Sequence, residues 1–236
     1  MADLKTNIRY IKGIGEQRAK ALNKLGIATL RDLISYYPRG YEDRTLTRPI
    51  RDLILGENAC VKAMVAADPI ASRISGGRTL VKCRAVDEGG SLDLVFFNQE
   101  YRKNSLHKGE TYIFYGKVEG NLLRRQMINP LIEKEGAQQI TGRIMPLYPL
   151  TAGVSQLILS RAVRQGLDAC RDLLEDVLPD HVRQKHELCY VGYAYENIHF
   201  PASPEALEIA RRRMVFEELF ELTCGLHLLR TARKDV

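Results

Sequence analysis

The chain has 236 residues, of which 45% are hydrophobic and 27% charged, so it has an ordinary globular composition with ample material for a core. No apolar run of about eighteen residues occurs and the first residues form no apolar signal segment, so we expect neither a membrane span nor secretion, and we expect a cytoplasmic location. The net charge of +6 is compatible with a polyanionic partner, although charge alone does not establish one.

Residue types that carry catalysis or bind metals form no recognisable groups. The five cysteines are scattered without a Cys-x-x-Cys pair, which argues against a disulfide framework and against a zinc site. The five histidines show no ligand spacing, and His199 is interpreted as a structural residue. The phosphate-loop pattern G-x-x-x-x-G-K-[ST] does not occur, and no Ser/His/Asp set stands out. We therefore expect no catalytic site, no metal and no cofactor in this chain.

The first predicted region, residues 1–55, is a helical hairpin. The stretch "QRAKALNKLGIATLRDLISYYP" has apolar residues at helical spacing on both sides of Gly26, which predicts one helix ending at this glycine and a second helix after it. Thr29 is the predicted N-cap of the second helix, with Asp32 three residues later, and Pro38 is expected to stop that helix.

The turn that precedes the first of these helices resembles a helix-hairpin-helix element. In such an element a Gly-x-Gly turn exposes backbone N–H groups that hold a DNA phosphate. Here Gly13, Ile14 and Gly15 form the turn, and Lys12 and Arg18 add positive charge. A purely structural hairpin fits the same residues, so the sequence leaves both interpretations open.

Residues 56–150 form the second predicted region, which is rich in strands. The predicted strands are "ACVKAMVAADPIA", "RTLVKCRAVD", "SLDLVFFN", "ETYIFYGKVEG" and "LLRRQMINP". Between the third and the fourth, "QEYRKNSL" predicts a short helix with Asn98 as its N-cap. This order is typical of an OB-type Greek-key barrel, a fold that binds single-stranded nucleic acid, although another small Greek-key barrel fits it too.

Residues 151–236 form the third predicted region, which is helical. One helix is predicted over 156–177, and "AYENIHFPASP" after it is interpreted as a loose stretch. From Glu205 a helical pattern of about thirty residues, about 45 Å long, continues nearly to Val236. Its apolar residues exceed what a small barrel covers, so we expect either an oligomer or the front part of a longer protein. The fold class is α+β: a five-stranded OB-type Greek-key β-barrel flanked by an N-terminal helical hairpin and long C-terminal helices.

Two adjacent phenylalanines end the third predicted strand. Successive side chains of a strand point to opposite faces, so Phe96 and Phe97 cannot both enter one core. An outward Phe97 with Tyr101, and with Phe96 as a further candidate, predicts a platform on which unpaired bases stack. The alternative is that Phe97 packs on the short helix as a hydrophobic staple, with Tyr101 as partial core cover.

Cations surround these rings and lie on neighbouring strands. Lys82 and Arg84 share one face of the second predicted strand, and they are candidates to hold DNA phosphates. The other candidates are Arg102 and Lys103 beside Tyr101, and Arg124 and Arg125 on the last strand. For each residue taken singly, a solvated strand edge protected by charge fits equally well.

Together these stretches resemble the N-terminal part of the bacterial RecG branched-DNA helicase family. The resemblance spans the chain in family order, through "KGIGEQRAKALNKLGIATLRDLISYYPRGYEDR", "LDLVFFNQEYRKNSLHKGE", "YIFYGKV", "IMPLYPLTAGVS" and "NIHFPASPEALEIARRRMVFEELFELTCGL". It implies an OB-fold wedge that splits strands at the branch point of stalled replication forks and Holliday junctions. It also implies that an aromatic pair on the wedge, aligned here with Phe97 and Tyr101, stacks on the terminal bases of the parting arms.

The resemblance has further implications for partners and cofactors. Family members act in DNA recombination and repair, and their two motor domains, which use ATP and Mg²⁺, lie beyond the part that this chain matches. We therefore expect a DNA-binding module without ATP hydrolysis of its own, associated with the nucleoid. The family is also thought to contact single-stranded-DNA-binding protein, and an OB barrel can receive a peptide on its open face. The alternative hypothesis is accordingly a module that docks this protein through its OB fold.

Overall fold

The structure is a computed structural model that describes residues 3–74, 76–121, 123–136 and 141–232. The chain divides into two compact units. The barrel unit comprises residues 43–143, and the helical unit comprises residues 1–42 and 144–236. The three regions predicted along the sequence follow composition, whereas these units follow contacts, so the two ends of the chain contribute to one unit.

Nine strands and six α-helices form within the described residues. The strands are β1 Gly40–Asp43, β2 Asn58–Val65, β3 Ile70–Ile74, β4 Arg78–Asp87, β5 Gly90–Phe97, β6 Thr111–Gly120, β7 Arg125–Ile128, β8 Leu131–Lys134 and β9 Ile144–Leu147. The helices are α1 Glu16–Asn23, α2 Leu30–Ile34, α3 Gln156–Cys170, α4 Asp180–Lys185, α5 Val191–His199 and α6 Pro204–Ala232. Short 3-10 helices occur at Ile8–Tyr10, Ile50–Asp52, Glu100–Asn104 and Arg171–Leu173. None of the helices in the described ranges is long and apolar enough to cross a membrane.

Five strands close the barrel, and this confirms the predicted OB-type fold. The strand order is β2-β4-β5-β7-β6, and pairing of β2 with β6 completes the closure. The β5–β7 pair is parallel and the other pairs are antiparallel. The short predicted helix between the third and fourth barrel strands is present as the 3-10 helix Glu100–Asn104.

Two predicted strand bounds differ from the structure. The first predicted strand is divided into β2 and β3, because Pro69 lies between them and has no N–H to donate to a ladder. β3 then pairs with β4 outside the closed ring. The last predicted barrel strand begins at Arg125, three residues later than Leu122, which lies outside the described residues.

Alternation along β4 and β5 builds the barrel core. On β4 the buried residues are Val81, Cys83 and Ala85, as their spacing predicted. On β5 the buried residues are Leu92, Leu94 and Phe96. Every second side chain of both strands is therefore left for the outer surface, and this alternation decides which residues a ligand can reach.

The N-terminal hairpin of the helical unit forms as predicted. The Thr29 hydroxyl accepts a hydrogen bond from the N–H of Asp32, and the Asp32 carboxylate accepts one from the N–H of Thr29, which makes a capping box. Gly26 adopts φ +80° in the turn between the helices. Buried residues of α1, α2 and α3 form one hydrophobic core.

Two helix predictions in the C-terminal region were wrong. α3 ends at Cys170, not Val177. Beyond this end, the Asp176 carboxylate pairs with the buried Arg213 at 2.6 Å, a contact made by the non-helical segment. The stretch interpreted as loose contains most of α5, whose Ala194 and Ile198 are buried. In both cases tertiary packing overrides local propensity.

The long C-terminal helix is confirmed as α6, although only its first part is covered within the described chain. Leu207 and Ala210 are buried, whereas Leu219, Leu222 and Leu226 are all about half exposed or more. Arg213 between these two parts is fully buried, and it also pairs with Glu217 one helical turn later.

His199 is a satisfied buried residue, as the sequence indicated. Its Nε2–H donates to the carbonyl of Ile34 at 2.6 Å, so its Nδ1 is unprotonated and accepts from the Tyr148 hydroxyl at 2.9 Å. Burial penalises the charged imidazolium and lowers the pKa of His199 to about 4. The helical unit is therefore built around a neutral histidine.

We expect the stability of the helical unit to fall on acidification. His199 takes up a proton near pH 6.5 in the unfolded chain but near pH 4 in the folded one, so its contribution is complete above about pH 6.5 and is lost as the pH falls toward 4. The loss is at most about 3–4 kcal/mol, at about 1.4 kcal/mol per pKa unit. Urea unfolding followed by helical circular dichroism at several pH values measures it.

The variant His199→Gln should lose most of this pH dependence, whatever its stability at neutral pH. The matched control is His181→Gln, because His181 is exposed. If His199→Gln and His181→Gln show the same loss of unfolding free energy between pH 7 and 4.5, the assignment is wrong.

Candidate nucleic-acid interface

The end of β5 separates the two adjacent phenylalanines. Phe96 is 0% exposed and lies in the barrel core, whereas Phe97 is half-buried on the outer face. The prediction that they point to opposite sides is correct. Phe96 as a stacking candidate needs correction, because a ring enclosed by the barrel has no free face for a base.

The register of β4 and β5 places the outward phenylalanine and two predicted cations on one surface. Leu80 pairs with Phe97, Lys82 with Val95, and Arg84 with Asp93. Paired residues of adjacent strands share a face, and so do residues two apart on one strand. The outer face of this strand pair therefore carries Phe97, Lys82 and Arg84 in sequence.

A groove of about 320 Å³ lies along this face. Its cations are Lys82, Arg84 and Arg124, and its apolar lining includes Ile70 and Val95. Arg124 is thus brought next to Lys82 and Arg84, which precede it by about forty residues, as the hypothesis of a phosphate-holding face requires.

Asp93 lies between two of these cations. Its carboxylate accepts from Nε of Arg84 at 3.0 Å and from Nε of Arg124 at 2.6 Å. Although partial burial by itself raises the pKa of Asp93, the hydrogen bonds from Arg124 and Arg84 outweigh it and hold that pKa below its ordinary value. The carboxylate is therefore ionised at neutral pH, and it neutralises one of the two guanidinium charges.

The remaining predicted cations are placed differently from one another. Arg125 pairs in register with the buried Leu92, and its guanidinium donates to the carbonyl of Arg51 at 3.1 Å. Arg125 is thus half-buried and does not line the groove, unlike its neighbour Arg124. Lys103 is exposed beside Tyr101 on the short helix, and in the described part of the chain no carboxylate pairs with Lys103 or Lys82.

Tyr101 projects into solvent and is held by a polar network. The residue is 59% exposed, which argues against a role as core cover. Its hydroxyl donates to Oε1 of Gln99 at 2.9 Å, and the same oxygen accepts from Nε of Arg102 at 3.1 Å. The Arg102 guanidinium also lies 5.0 Å from the centre of the Tyr101 ring.

Asn129 connects this network to the strand end. Its Oδ1 accepts from Nε2 of Gln99 at 3.1 Å and from the backbone N–H of Phe97 at 2.8 Å. Gln99 and Asn129 therefore position both candidate rings, and the sequence reasoning missed them. For Asn129 the available signal was an asparagine before a proline at a strand end, in "INP", whereas no local pattern marked Gln99.

Asn98 is not the N-cap of the short helix, contrary to the prediction. The residue at that position is Gln99, and it makes no side-chain capping bond. Asn98 instead adopts φ +55°, a conformation that asparagine tolerates better than most residues. Its Oδ1 accepts from the N–H of Thr79 at 3.2 Å, so it fastens the end of β5 to β4.

The described residues contain no candidate metal site. No group of three or more His, Cys, Asp or Glu side chains there is arranged to hold an ion. The candidate interface consists of two aromatic rings and several cations.

Comparisons with known proteins identify the family of the chain. The family model for the RecG wedge domain matches residues 7–170. The chain is 32% identical to the ATP-dependent DNA helicase RecG of Thermotoga maritima over 98% of its own length and 30% of that protein. It is 30% identical to the RecG of Escherichia coli K12 over 93% of its own length and 33% of that protein. The chain thus spans about a third of these relatives.

A solved structure gives the corresponding result in three dimensions. A RecG bound to a three-way DNA junction matches 100% of this chain with a TM-score of 0.87 and 32% identity, over 32% of the RecG chain. The similarity therefore extends through both the barrel and the helices.

The opposite placement of the two phenylalanines predicts opposite costs of truncation. Phe96→Ala should lower the free energy of unfolding by about 3–5 kcal/mol, because it leaves a cavity in the barrel core. Phe97→Ala should cost less than about half of that, because the ring is half solvated in the folded chain. Urea unfolding of the two variants under one condition measures both, and equal losses would contradict the placement.

Proposed function

The chain belongs to the RecG wedge-domain family, and from that membership we propose that it binds branched DNA at the point where paired strands part. The observation that carries the proposal is the outward Phe97 beside the exposed Tyr101, next to a groove lined by cations. The match to a RecG bound to a three-way junction supports it.

Base stacking is the proposed role of the two rings. Pairing and stacking end at a branch point, so the terminal base of an arm has a free face that an aromatic ring can cover. Each such stack contributes about 1–3 kcal/mol and tolerates any base. Gln99 and Asn129 would keep Phe97 and Tyr101 in place before DNA arrives, which lowers the entropy lost on binding.

Phosphate binding is the proposed role of the cations in the groove. Lys82, Arg84 and Arg124 would track the backbone of a displaced strand, with Arg102 and Lys103 near the rings. The groove is lined by three cations and by two carboxylates, those of Asp68 and Asp93, so a phosphate entering it meets an excess of one positive charge. Arg125 would support the end of the barrel through its bond to Arg51 rather than contact DNA.

In the longer protein this module would act with a motor. The relatives are named ATP-dependent helicases. Residues 1–236, however, contain no phosphate-loop pattern that fits ATP. We propose that ATP and Mg²⁺ bind elsewhere in the full protein. The wedge would then split strands at stalled replication forks and Holliday junctions in the nucleoid.

Removal of both rings should weaken binding to branched DNA while leaving linear duplex binding unchanged. The double variant Phe97→Ala with Tyr101→Ala should lose about 5-fold to 150-fold in fork affinity per stacked base, which corresponds to 1–3 kcal/mol. Fluorescence anisotropy with a fork and with a linear duplex of equal length measures this.

The matched control keeps both rings, as Phe97→Tyr with Tyr101→Phe. A fluorescent base analogue at the branch point should be quenched by the wild-type chain and by this control, but not by the alanine variant. If the alanine variant binds the fork as tightly as the wild type does and melts at the same temperature, the stacking role is wrong.

A second candidate function is the docking of a peptide from single-stranded-DNA-binding protein. The observation that favours it is the mixed lining of the groove, where Ile70 and Val95 lie beside Lys82 and Arg84. Such a lining suits an extended peptide with an apolar side chain and a carboxylate. This function and DNA binding would share one surface.

Competition separates these two candidates. A tail peptide of single-stranded-DNA-binding protein should displace a fork from the wild-type chain if both occupy the groove, and Lys82→Gln should weaken both ligands. A scrambled peptide of the same composition is the control. Binding of fork and peptide together without competition would exclude the groove as the peptide site.

A further inference from the structure

A second positively charged surface lies on the helical unit, around the N-terminal hairpin. Two grooves of about 250 and 470 Å³ adjoin there, and Arg18 lines both. The first groove is also lined by Lys12 and Arg161, and the second by Lys20 and Lys24. We refer to these five cations as the hairpin patch.

Packing of the hairpin on α3 creates this patch. Ile14, in the Gly-x-Gly turn, is 3% exposed and belongs to the core that also contains α3 residues. The Gln165 side chain of α3 donates to the carbonyl of Lys12 at 3.1 Å. These contacts bring Arg161 of α3 next to cations that precede it by about 140 residues. The hydrogen bond from Arg18 to the carbonyl of Gly13, at 2.6 Å, fixes one guanidinium at the turn.

The charge of the patch is largely uncompensated. Among the described residues, Lys20 pairs with Glu16, whereas no carboxylate lies within ion-pair distance of Lys12, Arg18, Lys24 or Arg161. In a groove of about 300 Å³ on the barrel unit, by contrast, the cations are compensated. Its cations Arg48, Arg51 and Lys62 each pair with a carboxylate. Only the hairpin patch, of these two surfaces, is left to attract an anion.

The chemistry of the lining identifies the class of partner. Neither groove of the patch is lined by an aromatic ring, so the patch has no platform for unpaired bases. Cations without rings suit the sugar–phosphate backbone, which carries charge at regular spacing and no sequence information.

We propose that the hairpin patch is a second DNA-binding surface, which holds the phosphate backbone of a paired arm independently of sequence. This inference rests on the proposed function of the chain as a branched-DNA-binding module. It adds a site on the helical unit that is separate in chemistry from the rings and groove of the barrel unit.

Salt dependence of linear-duplex binding tests the proposal. Linear duplex has no branch point, so stacking by Phe97 and Tyr101 is not measured. In the triple variant Lys12→Gln, Lys24→Gln and Arg161→Gln, the plot of log affinity against log salt should become shallower by up to about 2.7, at about 0.9 for each phosphate that the protein no longer neutralises. Arg18 is left intact because its side chain also bonds the turn.

The matched control removes three exposed cations of the same unit that do not line the patch, as Lys5→Gln, Arg39→Gln and Lys185→Gln. A slope that differs from this control by less than about 0.9 would overturn the proposal. So would the absence of measurable duplex binding by the wild-type chain at low salt. If the triple variant melts early, the double variant Lys24→Gln with Arg161→Gln replaces it.

The outcome is distinguishable from failure of the proposed function. The ring variant Phe97→Ala with Tyr101→Ala should leave the duplex slope unchanged. If the wild-type chain shows no preference for a fork, the function at the branch point fails while the duplex slopes still report on the patch. If the fork preference holds and the slopes of the two triple variants agree, only the patch fails.

Discussion

The alternation of side chains at the end of β5 is the constraint on which the candidate site depends. Because the strand is pleated, Phe96 enters the barrel core and Phe97 must leave it. Because β5 pairs with β4, the same alternation of buried and exposed side chains applies to β4, where Lys82 and Arg84 lie on the outer face. A slip of one residue would exchange the buried and exposed sets on both strands, so burial of Phe96 and exposure of the site are enforced by the same packing.

Polar contacts then give this surface its geometry. Tyr101 is more than half exposed, and its position follows from the amide groups of Gln99 and Asn129 rather than from apolar packing. Asp93 has a related role, because one carboxylate placed between Arg84 and Arg124 reduces their repulsion and orients both guanidiniums. A binding surface on a small barrel needs such contacts, since side chains that point away from the core are otherwise free to rotate.

The helical unit depends on different buried groups. His199 is neutral and bonded at both ring nitrogens, and Arg213 is fully buried between Asp176 and Glu217. Burial raises the pKa of Glu217, although the adjacent Arg213 opposes this rise. Both arrangements illustrate that a polar group can leave water only with its partners present. His199 thereby joins α5 to the end of α2, and Arg213 joins α6 to the segment before α4.

The sequence by itself determined the features that repeat locally. Period-two alternation marked the barrel strands and the opposite faces of Phe96 and Phe97, and the local pattern marked Thr29 as a helix N-cap. Only the tertiary structure decided that Arg124 reaches the groove while Arg125 does not, that α3 stops at Cys170, and that Asn129 holds the N–H of Phe97. The physical reason is separation along the chain. Asn129 and Phe97 are 32 residues apart and Arg124 and Asp93 are 31 apart, and contacts over such distances follow from strand closure, which no local pattern contains.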